Sequence, residues 1–267
     1  MDRVRRAYAL RRVGHAGTLD PFASGLLLVL LGRATRLAQY LVGLPKTYQG
    51  RIRLGAVTDT DDCTGTVLRT SEDWQALSGE RIGGAMRQFV GVHLQRPPAY
   101  SAKKTSGQRA HRLARKGAPV ELAPVSIEVR RFDLRGHEGA SVAFSAEVGS
   151  GTYLRALARD LGERLGCGAH LEELRRTRIG AFAVEDALPW DAVTGGTEPV
   201  RPPRDAVAHL PRRALVDAEC DLVRHGRALD AADCPDTPIA LLADGVLVAV
   251  AHREGDLLKP RVVLGDA

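Results

Sequence analysis

GHAGTLDPFASG, residues Gly14 to Gly25, sets one carboxylate, Asp20, in a run of small residues. His15 lies five positions upstream, and Pro21 restricts the backbone just after the acid. Taken alone, Asp20-Pro21 reads as the start of a helix, because Asp is a favoured N-cap and Pro a favoured first helical residue. The residues around the pair point elsewhere. Gly14, Gly17 and Gly25 allow a backbone to approach a ligand closely. His15 adds a flat polar ring, and the apolar run Leu26 to Leu31 anchors the segment to a buried element.

Outward from this stretch the pattern is mixed. Val4 and Tyr8, among Arg3, Arg5, Arg6, Arg11 and Arg12, predict a helix at the start. Leu26 to Leu31 predicts a short buried strand, and Ala34 to Leu44 a helix with Leu37, Tyr40, Leu41 and Leu44 on one side. Strands are predicted at Tyr48 to Leu54, Val125 to Leu134 and Ser141 to Val148. A helix is predicted at Ile82 to Val90. Another carries the stripe Leu154, Leu157, Ala158, Leu161 and Leu165. Strands scattered among helices argue for an α+β chain rather than a regular βαβ alternation. Between Pro189 and Pro211, seven Pro and Gly residues punctuate the chain as a linker would. Beyond it, a short helix at Asp217 to Arg224 precedes strands at Ile239 to Leu242, Leu247 to Ala251 and Arg261 to Leu264. Asp244-Gly245 reads as a hairpin turn. The expected division is therefore 1–188, a linker at 189–210, and a small β-rich domain at 211–267.

Composition limits the function classes. Lys and Arg number 38 against 32 Asp and Glu in 267 residues, for a net +6, and the pI is near 9.4. An acidic partner such as nucleic acid fits this balance. Cys63, Cys167, Cys220 and Cys234 form no CxxC pair and no metal spacing, which reads as a reduced, cytoplasmic protein. No apolar run reaches a membrane span and no signal peptide is visible, so no membrane role is expected. Asp59, Asp61 and Asp62 fail as a calcium loop, because Cys63 occupies the third ligand position and Gly65 falls one residue late. Neither a metal nor any cofactor is expected.

Further blocks follow in order: Lys46-Thr47-Tyr48, then Arg96 to Lys104 (RPPAYSAKK), Gly151-Thr152-Tyr153-Leu154-Arg155, Gly166 to His170 (GCGAH) and Leu174-Arg175-Arg176. Together with GHAGTLDPFASG they resemble the bacterial tRNA pseudouridine synthase B family over about residues 4 to 180. The resemblance implies the pseudouridine synthase fold, with a mixed, mainly antiparallel central sheet and a C-terminal RNA-binding domain of PUA type. It implies isomerisation of the T-loop uridine, position 55 in tRNA numbering, with the tRNA T-arm as partner, no protein partner and a monomeric state. Asp20 is then the catalytic carboxylate, acting by nucleophilic attack or by stabilising charge at C1′. A sugar adduct, a base adduct and a glycal route all remain open to it.

The same resemblance pairs Arg155 with Asp20, stacks Tyr48 on the target base, and puts His15 where the flipped nucleotide leaves space. Tyr153 and Leu174 would shape the pocket. Without it, Arg155 is a surface ion-pair former, Tyr48, Tyr153 and Leu174 are core, and His15 is a loop hydrogen-bonder. Ser101 to Gly117 carries Lys103, Lys104, Arg109, Arg112, Arg115 and Lys116 without an acid; after the RPPAYSAKK block this reads as an RNA-contacting loop and helix. The match departs at the N-terminus. Relatives begin with an apolar strand, a Lys-Pro turn and a Gly-x-Thr-Ser segment, whereas this sequence begins inside the following helix. A misplaced start codon is the expected explanation, a shortened protein the other. Two rival functions remain: a tRNA-binding folding chaperone without catalysis, and an RNA-guided relative that modifies ribosomal RNA.

Overall fold

The alternation around Tyr48 becomes the middle of a seven-stranded sheet. A computed structural model describes residues 1–100, 104–105, 108–109, 122–231 and 233–264. The sheet comprises β1 (Ser24–Gly25), β2 (Lys46–Leu54), β3 (Gly91–Gln95), β4 (Val125–Glu138), β5 (Ser141–Val148), β6 (Ala169–Ile179) and β7 (Phe182–Ala183). Its order is β7-β6-β2-β5-β4-β3, with every neighbouring pair antiparallel, and the short β1 lies parallel to β6. A mixed, mainly antiparallel sheet is what the sequence led us to expect.

Period two decides which side of the sheet is buried. Tyr48, Ile52 and Leu54 of β2 join Val142, Phe144, Ala146 and Val148 of β5 in one core, while Gln49, Arg51 and Arg53 stay exposed. Two helices cover that face: α1 (Gly79–Arg87) and α2 (Leu154–Leu165). Phe132 and Phe144 meet edge-to-face with ring centroids 5.6 Å apart, a geometry worth about 0.5–1.5 kcal/mol beyond burial. Helix α1 starts three residues before the expected Ile82 because the Ser78 hydroxyl caps it, accepting from the Arg81 N–H. Helix α2 has the expected bounds. It can approach β6 closely because residue 162 is glycine: a Cβ there would come 2.2 Å from the Ala169 nitrogen.

Two expectations need correction. Leu26 to Leu31 is not one strand. Gly25 takes a φ of +100° and the Leu26 N–H donates to the Arg176 carbonyl, so β1 ends there. Val29–Leu31 then pairs with Val13–His15 instead. Ala34 to Leu44 is helical but interrupted, a 3₁₀ turn at Gly32–Leu37 followed by an α-helical turn at Ala38–Val42.

The sheet and its helices make one compact unit, Leu19–Leu26 with Gly43–Ala187; Met1–Thr18 and Leu27–Val42 group with Leu188–Ala267 in a second. The second unit holds a five-stranded sheet: β8 (Arg212–Ala214), β9 (Leu229–Asp230), β10 (Ile239–Ala243), β11 (Val246–Glu254) and β12 (Leu257–Val263). Their order is β8-β10-β11-β12-β9, with α3 (Asp217–Arg224) packed against it. Asp244 and Gly245, with φ of 48° and 76°, make the expected turn between β10 and β11. Two positive values match the twist of a hairpin. Also within this unit, Arg33 and Arg36 donate to the carbonyls of Leu264 and Val263. Among the described residues, no helix is long and apolar enough to cross a membrane.

Candidate active site

Asp20 begins a turn, not a helix. Its carbonyl accepts from the Ala23 N–H at 2.9 Å, and Pro21 supplies the φ that the first central position of such a turn favours. Two contacts then fix the exit of this turn. The Leu26 N–H donates to the Arg176 carbonyl at 2.8 Å, and Arg176 Nε donates to the Leu26 carbonyl at 2.8 Å. The acid is thus held beside β6.

Arg155, the second residue of α2, meets it. Nε donates to Asp20 Oδ2 at 2.9 Å and Nη2 to Oδ1 at 3.1 Å. The arginine side chain is 6% exposed and that of Asp20 34%, so the acid faces outward from a buried cation. A forked pair of this kind fixes direction as well as charge. The same guanidinium donates to the carbonyls of Thr60 and Tyr100, and Asp62 Oδ2 lies 3.4 Å from Nη1. Two carboxylates offset a cation at a helix N-terminus, where the macrodipole opposes it. Asp62 is itself saturated on its other oxygen, accepting from the Thr60 hydroxyl, the Thr64 hydroxyl and the Thr64 N–H.

Tyr48 lies buried on the same sheet face, opposite Arg176 in β6. Burial pushes its phenol pKa up, Arg176 pulls it back, and the charge of Asp20 raises it further. Leu174 is buried in the core two residues before Arg176. The backbone of Tyr153 is clamped at both ends by Gln95, whose Oε1 accepts from the Tyr153 N–H while its Nε2 donates to the Tyr153 carbonyl. Lys46 is also buried. Its ammonium donates to the Leu44 carbonyl, and burial beside Arg176 lowers its pKa to about 8. His15 is exposed, opposite Val29 in the second unit. Lys104 and Arg109 face each other in backbone register across a two-residue strand pair; Lys103 and Arg112 lie outside the described residues.

The model of the TruB family pseudouridylate synthase N-terminal domain matches residues 5–154, and that of the tRNA pseudouridylate synthase B C-terminal domain matches 155–197. The chain belongs to the TruB family. It is 42% identical to tRNA pseudouridine synthase B of Parasynechococcus marenigrum, over 98% of this chain and 91% of that one. The Aquifex aeolicus protein of the same name is 35% identical, over 99% and 93%. Among solved structures, the archaeal box H/ACA sRNP Nop10–Cbf5 complex contains a chain that superposes with a TM-score of 0.71 at 25% identity, covering 98% of this chain and 80% of that one.

Several residues around the Asp20–Arg155 pair escaped the sequence reading. Asp61 and Asp62 entered it only as a rejected calcium loop, Arg176 only as part of a block, and Gln95 and Arg159 not at all. Arg155 and Arg159 are spaced i, i+4, which puts both on one side of a helix; that spacing was a usable signal. Among the described residues, no three His, Cys, Asp or Glu side chains group as a metal ion would need.

Proposed function

We propose that the chain isomerises uridine 55 of the tRNA T-loop to pseudouridine, with Asp20 as the catalytic carboxylate. The reaction breaks the N1–C1′ bond, turns the base, and forms C5–C1′; the C5 proton is lost and N1 gains one. Such chemistry needs a charged oxygen directed at C1′ or at the base, in a place the substrate can reach. Asp20 fits because its forked pair with buried Arg155 aims a one-third-exposed carboxylate outward; that observation carries the reading. The 42% identity to tRNA pseudouridine synthase B favours tRNA over a guide-directed substrate.

In this reading the uridine leaves its stack, at a cost of a few kcal/mol. Stacking on Tyr48 returns roughly 1–3 kcal/mol. His15 occupies the vacated space, Tyr153 and Leu174 bound the pocket, and Lys103, Lys104, Arg109 and Arg112 take backbone phosphates. Residues 1–188 form the catalytic domain, 189–210 a linker, and 211–267 a PUA-like RNA-binding domain. The enzyme works as a cytoplasmic monomer.

Tritium release from tRNA labelled at uridine C5 tests this directly, since C5–H must break. Wild type should release tritium, and Asp20→Asn should be slower by about 10³-fold or more while binding tRNA equally well. Binding by both proteins with release from neither would leave a tRNA chaperone.

A further inference from the structure

Arg159 follows Arg155 by one turn of α2, and both guanidinium groups reach the same loop. Arg155 takes the Thr60 carbonyl and Asp62. Arg159 takes Asp61, with Nη1 2.9 Å from Oδ2. Arg159 also donates to the Arg96 carbonyl at 2.9 Å and to Asp160. Asp61 needs such a partner because it is buried. Its φ of 61° is a left-handed conformation that Asp, like Asn, tolerates. Its side chain is only 12% exposed, and burial pushes the carboxyl pKa up against the pull of Arg159 and then Arg155.

We propose that Arg159 is a positioning residue: by pinning Asp61 it holds the 60–62 loop against Arg155, and so sets the direction of Asp20. The proposal rests on Asp20 being the catalytic carboxylate. Asp61 is anchored through its backbone too, its N–H to the Thr58 carbonyl and its carbonyl to the Leu171 N–H. A buried Asp61 without Arg159 must take a proton or move. If it moves, it carries Asp62 and Thr60 with it. Arg155 then loses two contacts that keep its planar fork aligned with Asp20, and the fork turns.

The test is single-turnover pseudouridine formation alongside tRNA affinity and hydrogen exchange of the Thr64 and Leu171 amides. Arg159→Gln should slow turnover by about 10–100-fold, the penalty of a small misplacement, with tRNA affinity unchanged and both amides exchanging faster. Adding Asp61→Asn should restore most of the rate, because Asn tolerates the left-handed backbone and leaves no unpaired charge. Wild-type turnover in Arg159→Gln, a loss confined to affinity, or a double variant no faster than the single would each overturn the proposal. Unaltered amide exchange in Arg159→Gln overturns it whatever the activity. A wild type that makes no pseudouridine, with exchange still responding to Arg159→Gln, would instead overturn the function and leave the clamp in place.

Discussion

The two sheets bury different things. The five-stranded sheet encloses Val223, Ile239, Leu241, Val248, Ala249 and Leu258, with no charged side chain among the buried residues described there. The seven-stranded sheet encloses an apolar core of similar character and, beside it, Lys46, Asp61, Asp62, Arg155 and Arg176. Among the described residues every buried charged side chain belongs to that second set. Burying a charge costs several kcal/mol before its partners repay it, whereas burying a leucine is favourable by about 1.5–3 kcal/mol. A fold that only had to be stable would use leucine in both places. On the proposed function, the charged set is where stability is given up for a directed carboxylate.

Replacing Arg155 by leucine is the hardest blow to that contrast. It leaves buried Asp62 without its cationic partner, so chemical denaturation should show a loss of about 3–5 kcal/mol, and turnover should vanish. Arg155→Lys separates the two effects. A lysine keeps the charge without the fork, so most stability should remain while turnover falls by about 10²-fold. Turnover by Arg155→Lys at the wild-type rate would reduce the pair to a structural one. Leu241→Ala, in the other sheet, sharpens the comparison from the opposite side. It should cost about 2–5 kcal/mol and leave turnover per folded molecule unchanged.

The apolar half of this architecture is legible in the chain. Ser141–Val148 and Leu154–Leu165 carry clean periods of 2 and 3.6, and both elements stand where those periods put them. The charged half is not. Strand β6 is missing from the elements the sequence predicts, because Glu173 and Arg175 face outward while Arg176, on the inward side, is 1% exposed. A buried arginine erases the alternation that would reveal the strand. The site fails for a related reason. Arg155 and Asp20 are 135 positions apart, and Arg155 and Thr60 are 95 apart. No local pattern encodes such contacts, and family resemblance supplied the first pair but not Asp62. Leu26 to Leu31 misled in the other direction, since uniform apolarity cannot show where a backbone turns at Gly25.

Lys46 offers the gentlest test, and one that reads the direction of a charge effect. Its folded pKa is about 8, below the ordinary value of 10.5. Between those values the unfolded chain holds the proton more strongly than the folded one. Unfolding free energy from Lys46 therefore rises as pH climbs from about 8 towards 10.5, and is lowest where the buried ammonium is charged. Lys46→Met removes that contribution. The variant should gain on wild type at pH 7 and lose the advantage by pH 10.5, as read from urea midpoints at matched ionic strength. The expected gain is partial, because the ammonium donates to the Leu44 carbonyl and methionine leaves that acceptor without its partner. An equal difference between the proteins at both pH values would mean that Lys46 titrates as an ordinary lysine, and that water reaches its ammonium at the start of β2.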